Sequence, residues 1–297
     1  MKNLSEKSVV KIKLDESNLE PTLNSIGIDM GQTLTKIAYS RKNKLVLMSF
    51  PTKNSNSKVK KIIESEKNNL SIINFTGGKS YDLYKDYSKN YESNLLNEFE
   101  ANMKGIETLY FIQKKKKLPP ILNVSIGTGT SITINIEGYE HIGGTAMGGG
   151  LFMGLLKLIL KQSDYDEAIN LSKKGNRYNL DLKVSDIYNQ EDKRVSQIFR
   201  EYTAASFGKI NEDFIKSSLQ KEDLINSIIC LIGENIGLIA NLMAEVKSVK
   251  DLVFCGGFLK DNKILKDILS LICKVNGNRA IFLRNSEYSA AIGALYY

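Results

Sequence analysis

Ser25-Ile26-Gly27-Ile28-Asp29-Met30-Gly31-Gln32-Thr33-Leu34-Thr35-Lys36-Ile37-Ala38-Tyr39 is the stretch on which the fold turns. Residues 26–29 form a short apolar run of strand type, and Met30-Gly31-Gln32 is a turn. A strand resumes over 33–39, with Leu34, Lys36 and Ala38 alternating against Thr35, Ile37 and Tyr39. The pattern recurs after Pro119-Pro120. There 121–126 is an apolar strand, Gly127-Thr128-Gly129-Thr130 a turn, and 131–136 a strand alternating on Ile132, Ile134 and Ile136. Strand, Gly/Thr turn and strand thus occur twice. This predicts an α/β chain of two topologically related domains; two occurrences are too few for a solenoid.

The rest of the chain fits around these hairpins. Further strands are expected at 44–50, 72–76, 251–255 and 280–283. Helices are expected at 59–68, 101–113, 151–162, 164–174, 184–188, 262–273 and 289–297. A long apolar helix over 223–246 suits central packing or a dimer seam. Residues 1–24 read as a polar tail that can add an edge strand over 9–14. The boundary at Pro119-Pro120 divides the remainder into 25–118 and 119–297.

With 297 residues, 42% of them apolar, the chain can bury the core that two domains require. Its formal net charge of +8 invites a polyanion reading. The basic residues are scattered, however, and the one tight run, Lys114 to Lys117, reads as a solvated linker. There is no tryptophan and no basic run interleaved with aromatics, so nucleic acid is not the expected partner. No uninterrupted apolar stretch reaches membrane-span length, and the N-terminus has no apolar signal region, so no membrane partner is expected. Cys230, Cys255 and Cys273 are odd in number and widely spaced, which suits buried free thiols in a reducing cytoplasm.

Three glycine-bearing turns each follow a strand: Asp29-Met30-Gly31-Gln32-Thr33, Gly127-Thr128-Gly129-Thr130-Ser131 and Cys255-Gly256-Gly257-Phe258. Glycine lets backbone N–H groups approach phosphate oxygens with no Cβ in the way, and Thr or Ser adds a hydroxyl donor. Three such turns in one chain point to a nucleotide cleft between the domains. The sequence contains neither G-x-x-x-x-G-K-[ST] nor a G-x-G-x-x-G between strand and helix, which excludes a P-loop and disfavours a Rossmann site. Asp29, ending its strand at the first turn, can hold Mg2+ directly or through water. Lys36 is placed to reach phosphate oxygens. Nine glycines fall between Gly127 and Gly154, and Gly148-Gly149-Gly150 at a helix start is a candidate anion site. Glu98 and His141, the single histidine, are uninformative on their own.

Taken together, these residues resemble a known family. Asp29-x-Gly31-x-Thr33-x-x-Lys36 is similar to the first phosphate motif of the ATPase superfamily of actin, hexokinase and the heat-shock ATPases. The ordered set resembles the type II pantothenate kinases more narrowly. It runs through Thr76-Gly77-Gly78, Glu98-Phe99, Gly127 to Ser131, Gly143-Gly144-Thr145 and Gly148-Gly149-Gly150. It continues with Asp181 to Tyr188, Thr203 to Gly208 and Ala291 to Leu295. The resemblance implies two actin/hexokinase-like (ribonuclease H-like) domains with an ATP cleft between them, a homodimer, and phosphorylation of the terminal hydroxyl of pantothenate by Mg-ATP. It implies Glu98 as general base. It implies Asp29, Gly31, Gln32, Thr33, Lys36, Gly127, Thr128, Gly129, Gly148, Gly149, Gly150, Gly256 and Gly257 at ATP, and Thr128, Ser131 and His141 at the acceptor. Two positions depart from the family pattern: Gln32 stands at a usual glycine, and His141 at the usual substrate-binding arginine. Arginine forks two hydrogen bonds to a carboxylate where neutral histidine offers one donor, so pantetheine, which lacks the carboxylate, becomes an alternative acceptor. Another small-molecule kinase of the superfamily and a catalytically weak nucleotide-binding paralogue are the competing readings.

Overall fold

The computed structural model describes residues 8–13, 24–194, 196, 200–211, 214 and 219–297. Two sheets carry the architecture. The first has the order β1-β4-β3-β2-β5-β6, built from β1 (Ser8–Lys13), β2 (Ser25–Met30), β3 (Leu34–Arg41), β4 (Lys44–Pro51), β5 (Ile72–Thr76) and β6 (Glu92–Leu95). The second has the order β13-β12-β7-β8-β9, from β7 (Ile121–Ile126), β8 (Thr130–Asn135), β9 (Tyr139–Thr145), β12 (Asp251–Cys255) and β13 (Arg279–Phe282). A third, two-stranded sheet pairs β10 (Leu182–Lys183) with β11 (Thr203–Ala205).

The internal repeat is visible in the pairing. β2, β3 and β4 form an antiparallel meander, and β5 and β6 then add in parallel beside β2. β7, β8 and β9 form the same meander, and β12 and β13 add in parallel beside β7. The edge strand expected over 9–14 exists as β1, antiparallel to β4; Leu14 lies outside the described residues.

Alternation along the strands sorts side chains into three cores. Ile26, Ile28, Ile37, Val46 and Met48 pack with Val59 and Ile63 of α1 (Asn56–Glu66) and Leu83 of α2 (Tyr81–Tyr87). The opposite face of the first sheet (Ala38, Leu45, Leu47) packs on α3 (Glu98–Lys114) and α8 (Ser289–Leu295). Those two helices also cover Ile121, Val253 and Cys255 of the second sheet, so they form a layer between the sheets. The far face of the second sheet (Leu122, Val124, Ile126, Leu252, Phe254) packs on α4 (Gly149–Leu160), α5 (Tyr165–Ser172), α6 (Lys221–Val246) and α7 (Lys263–Val275). α6 has the length and hydropathy of a membrane span, yet 14 of its 26 residues are buried in this core.

The layer between the sheets is set by glycine. A Cβ at Gly27 of β2 would meet the backbone of Ala291 and Leu295 in α8. A Cβ at Gly105 of α3 would strike the Ser289 backbone, and one at Gly293 of α8 the Ala101 backbone. The two helices and β2 therefore touch backbone to backbone. The last helix of the chain returns to the first sheet, where Ser25 Oγ donates to Leu295 O (2.9 Å) and Asn74 Nδ2 to Ala294 O (2.7 Å).

Several details differ from the expectations above. The helix expected to begin at 101 begins at Glu98, because the Asn97 side chain accepts from the Phe99 and Glu100 amides and caps it there. Residues 184–188 hold a 3-10 turn over Val184–Asp186 in place of a helix. α2, β6, β9 and the β10–β11 pair were not anticipated. β9 carries Gly143 and Gly144, poor strand formers, and Gly144 is required there because a Cβ would collide with the Thr130 backbone.

Gly105→Ala and Gly293→Ala are each expected to lower unfolding free energy by about 3 kcal/mol or more, through overpacking against backbone that cannot yield. Gly154→Ala, at an exposed helix position with nothing near the new Cβ, is expected to raise it by about 0.5–1 kcal/mol. Urea denaturation of the three variants checks both signs.

Candidate active site

The two glycine turns meet. Thr33 Oγ1 of the first lies 3.0 Å from Thr128 Oγ1 of the second, a hydrogen bond linking the two sheets at their hairpin ends. In the first turn Gly31 N–H donates to Leu34 O (3.1 Å), and Thr52 Oγ1 donates to Gly31 O (2.8 Å). In the second, Gly127 N–H donates to Gly129 O (2.8 Å). Gln32, Thr33 and Thr128 are exposed. Their amides, and that of Gly129, donate to no backbone carbonyl among the described residues. They are the backbone donors available to an anion between the turns.

The charged groups lie at the same end. Asp29 and Lys36 are directly opposite each other in the β2–β3 ladder, on the face that looks toward α3 and α8. Lys36 Nζ donates to Asp29 Oδ2 at 3.1 Å. Lys36 was expected to reach phosphate; in this arrangement its ammonium is engaged by the carboxylate across the ladder. Burial works to lower the Lys36 pKa, but Asp29 and, more weakly, Glu98 overcome it and hold the ammonium above its ordinary value. Asp29 is 3% exposed, and its Oδ1 is buried with no hydrogen-bond partner among the described residues. An orphaned buried carboxylate oxygen beside a phosphate turn fits Mg2+ or one of its waters, since Mg2+ binds through one or two carboxylates and keeps several waters. Among the described residues no group of three His, Cys, Asp or Glu forms a fuller metal cage.

Glu98 is the first residue of α3. The Gly78 backbone amide is near enough to favour its charged form. The side chain opens to solvent at the cleft, yet desolvation, and next the Asp29 carboxylate, push its pKa above the ordinary value. Lys36 and the Gly78 amide pull the other way. A raised carboxyl pKa suits a proton acceptor, because the ideal base titrates near the working pH.

On the acceptor side, His141 of β9 stacks on Phe99, the residue after Glu98, with ring centroids 4.1 Å apart and planes 17° apart. His141 is exposed. Ser131 of β8 pairs with Ser125 on one side and Gly144 on the other. Gly256 follows β12 with φ +104, where a Cβ would strike Ile126; beside Gly257 the Cβ position is open space. The structure brings Asp29, Gly31, Gln32, Thr33, Lys36, Gly127, Thr128 and Gly129 together, with Glu98 and His141 adjoining.

Gly148, Gly149 and Gly150 serve differently from expectation. The Gly149 amide donates to Gly127 O (2.8 Å) and the Gly150 amide to Thr128 O (2.9 Å). A Cβ at Gly148 would sit 2.8 Å from Thr128 O. These glycines let α4 dock against the second turn, and two of the amides expected to face an anion are spent on that docking. The landmark at Asp181 is likewise structural: its carboxylate accepts from Arg177 Nε (2.7 Å), Ser227 Oγ and the Phe207 amide (2.8 Å).

Sequence reasoning missed three features. The Asn97 cap was signalled by Asn followed by two glutamates in the first turn. The Phe99–His141 stack had no local signal, because it joins elements far apart in the chain. The same holds for the buried network in which Asn123 Nδ2 donates to Asn102 Oδ1 (2.8 Å) and Asn102 Nδ2 to Ser289 Oγ (2.6 Å).

Because the Glu98 pKa is raised in the folded state, its ionisation costs stability as pH rises through that value. Glu98→Gln is therefore expected to raise the thermal unfolding midpoint at about pH 7.5, the gain closing at about pH 4, where the native carboxyl is protonated folded or unfolded. Scanning calorimetry at the two pH values checks this; a pH-independent difference would contradict the assigned environment.

Comparisons with known proteins agree with this geometry. The Fumble family model matches residues 40–297. A type II pantothenate kinase of Bacillus anthracis is 38% identical over 278 residues, covering 92% of this chain and 97% of the relative. One from Oceanobacillus iheyensis is 37% identical over 277 residues, covering 92% and 99%. Among solved structures, the activator of 2-hydroxyisocaproyl-CoA dehydratase from Clostridium difficile, with bound ADPNP, is similar in fold. Its TM-score is 0.58 and its identity 15%, over 92% of this chain and 93% of that one. A glucokinase of the ROK family from Streptomyces griseus, with glucose and AMPPNP, has a TM-score of 0.56 at 10% identity, over 91% and 97%. The fold is that of the actin and hexokinase superfamily, and the chain belongs to the Fumble family, among the type II pantothenate kinases.

Proposed function

We propose that this protein transfers the γ-phosphoryl group of ATP to the terminal hydroxyl of pantothenate, the first step of coenzyme A synthesis. The observation that carries the reading is the meeting of the two turns at Thr33 and Thr128, with Asp29 and Glu98 beside them. Phosphoryl transfer asks little covalent chemistry of a protein; alignment and charge stabilisation do most of the work. The amides of Gln32, Thr33, Thr128 and Gly129 face the phosphates from both sheets. Asp29 Oδ1 would hold Mg2+ or one of its waters, and the ion would neutralise the phosphate oxygens. Gly257 leaves open space for the adenosine. Glu98 accepts the hydroxyl proton as the acceptor oxygen attacks. Thr128, Ser131 and His141 orient the acceptor.

His141 supports a second reading of the acceptor. An exposed imidazole stacked on Phe99 is a weaker carboxylate partner than a guanidinium, which favours pantetheine or another acceptor without the carboxylate. The domain division at 118/119 is retained, with α8 serving both sheets. Leu238, Leu242 and Val246, 51%, 53% and 82% exposed at four-residue spacing on α6, support that helix as the seam of a homodimer. Three buried free cysteines and bacterial relatives support a cytoplasmic enzyme.

Steady-state kinetics test the reading. Glu98→Gln is expected to lower kcat by about 10²–10⁴ while nucleotide affinity holds; a kcat within a few-fold of native removes the base assignment. In the same assay, His141→Arg is expected to raise kcat/KM for pantothenate relative to pantetheine. An unchanged ratio would remove His141 from acceptor choice.

A further inference from the structure

His141 sits on β9, the edge strand of the second sheet. The ladder alone holds this strand loosely. Only β8 pairs with it, the register shifts between Ile132 and Thr133, and Gly143 and Gly144 give neither face a side chain to pack. Contacts from outside the sheet therefore decide where His141 lies.

Alternation along the strands sorts those contacts by face. Tyr139 and His141 share one face of β9, and their ladder partners Asn135 and Thr133 share it on β8. All four lead to α3. Tyr139 Oη donates to Glu100 Oε2 (3.1 Å), and Asn135 Nδ2 to Glu107 Oε1 (3.1 Å). His141 stacks on Phe99. Thr133 Oγ1 accepts from Asn123 Nδ2 (3.1 Å), which also donates to Asn102 of α3. Glu140, on the opposite face, pairs with Lys247 at the end of α6 (3.5 Å). A cavity of about 490 Å³ lies between α3 and the hairpin, with Glu100, Met103 and Glu107 on one wall and Asn135 and Tyr139 on the other. Hydrogen bonds across that cavity, and little packing, hold this end of β9 on α3.

The α3 ends of two of these contacts lie in one capped turn. Asn97 Oδ1 accepts from the Phe99 and Glu100 amides (2.9 and 3.3 Å). Glu98, Phe99 and Glu100 are consecutive there. The carboxylate assigned as base, the ring that stacks on His141 and the carboxylate that receives Tyr139 thus share one backbone segment. Burial, and then Glu100, hold the Tyr297 hydroxyl above its ordinary pKa, so a second tyrosine adjoins the same carboxylate.

We propose that Tyr139 is a positioning residue: its hydrogen bond to Glu100 holds β9 on the first turn of α3, seats His141 against Phe99 and so sets the acceptor side of the site relative to Glu98. The proposal rests on the kinase reading above. Tyr139 acts through His141 and touches no reactant. Alignment carries much of the rate in such a transfer, so a small shift of the acceptor lowers kcat/KM.

The chain has one histidine, so its imidazole Cε1–H gives a single resonance in proton NMR of the tag-free protein. Stacking on Phe99 shifts that resonance by the ring current, and Phe99→Leu supplies the unstacked reference. At one fixed pH, Tyr139→Phe and Glu100→Ala are each expected to move the resonance toward that reference. In kinetics with Mg-ATP, Tyr139→Phe is expected to lower kcat/KM for pantothenate about tenfold, with KM for ATP within about twofold. The Tyr139→Phe, Glu100→Ala double variant is expected to lose no more than about twofold beyond either single one, because both remove the same contact. In a His141→Ala background, Tyr139→Phe is expected to cost less than about twofold. Three results overturn the proposal: an imidazole resonance unmoved in Tyr139→Phe, an unchanged kcat/KM, or the same loss with and without His141. If the resonance moves yet the native protein phosphorylates no acceptor, the kinase reading fails and the seating of His141 by Tyr139 stands.

Discussion

Everything at the site depends on how closely α8 lies between β2 and α3. Gly27, Gly105 and Gly293 remove the side chains that would hold these three elements apart. Asp29 ends β2 and Glu98 begins α3. The two carboxylates of the proposed mechanism are thus placed by one backbone-to-backbone stack, formed in part by the last helix of the chain. Several of the polar groups that this stack buries are satisfied within it. Ser25, Asn74, Asn102 and Asn123 bind α8 or one another, and Cys255 donates to Asn123 Oδ1 (3.4 Å). Unpaired, each such group would cost about 1–3 kcal/mol, so the network also selects one seating of the helix.

Electrostatics then divides the labour. One lysine, Lys36, serves two carboxylates unequally. Asp29 takes the direct bond at one oxygen and leaves the other without a hydrogen-bond partner among the described residues. Glu98 feels Lys36 only at a distance, feels Asp29 as a like charge, and is partly desolvated. Its proton affinity rises. In the proposed mechanism the first carboxylate would hold the metal or its water and the second would act as base.

Much of this was legible in the sequence where the signal was local. The Ile26–Tyr39 hairpin and its recurrence near Gly127 announced two related sheets, and strand alternation named their faces. The ordered motifs brought Asp29, Thr33, Thr128 and Glu98 into one cleft before any geometry was known. Illegible features depended on what packs against what. Three consecutive glycines at a helix start read as an anion site, but the amides of Gly149 and Gly150 are consumed by the neighbouring turn. Lys36 read as a phosphate ligand because nothing in the strand pattern showed Asp29 directly across the ladder. β9 hid behind glycines that its close approach to β8 requires.

The central claim is that these turns, carboxylates and aromatic neighbours form one site where a hydroxyl receives phosphate. The most direct measurement is phosphorus NMR of the native protein with Mg-ATP and pantothenate. The account predicts a phosphomonoester resonance on the terminal oxygen of pantothenate, growing one-for-one with ADP. ADP accompanied only by inorganic phosphate, or ATP left intact, would contradict it.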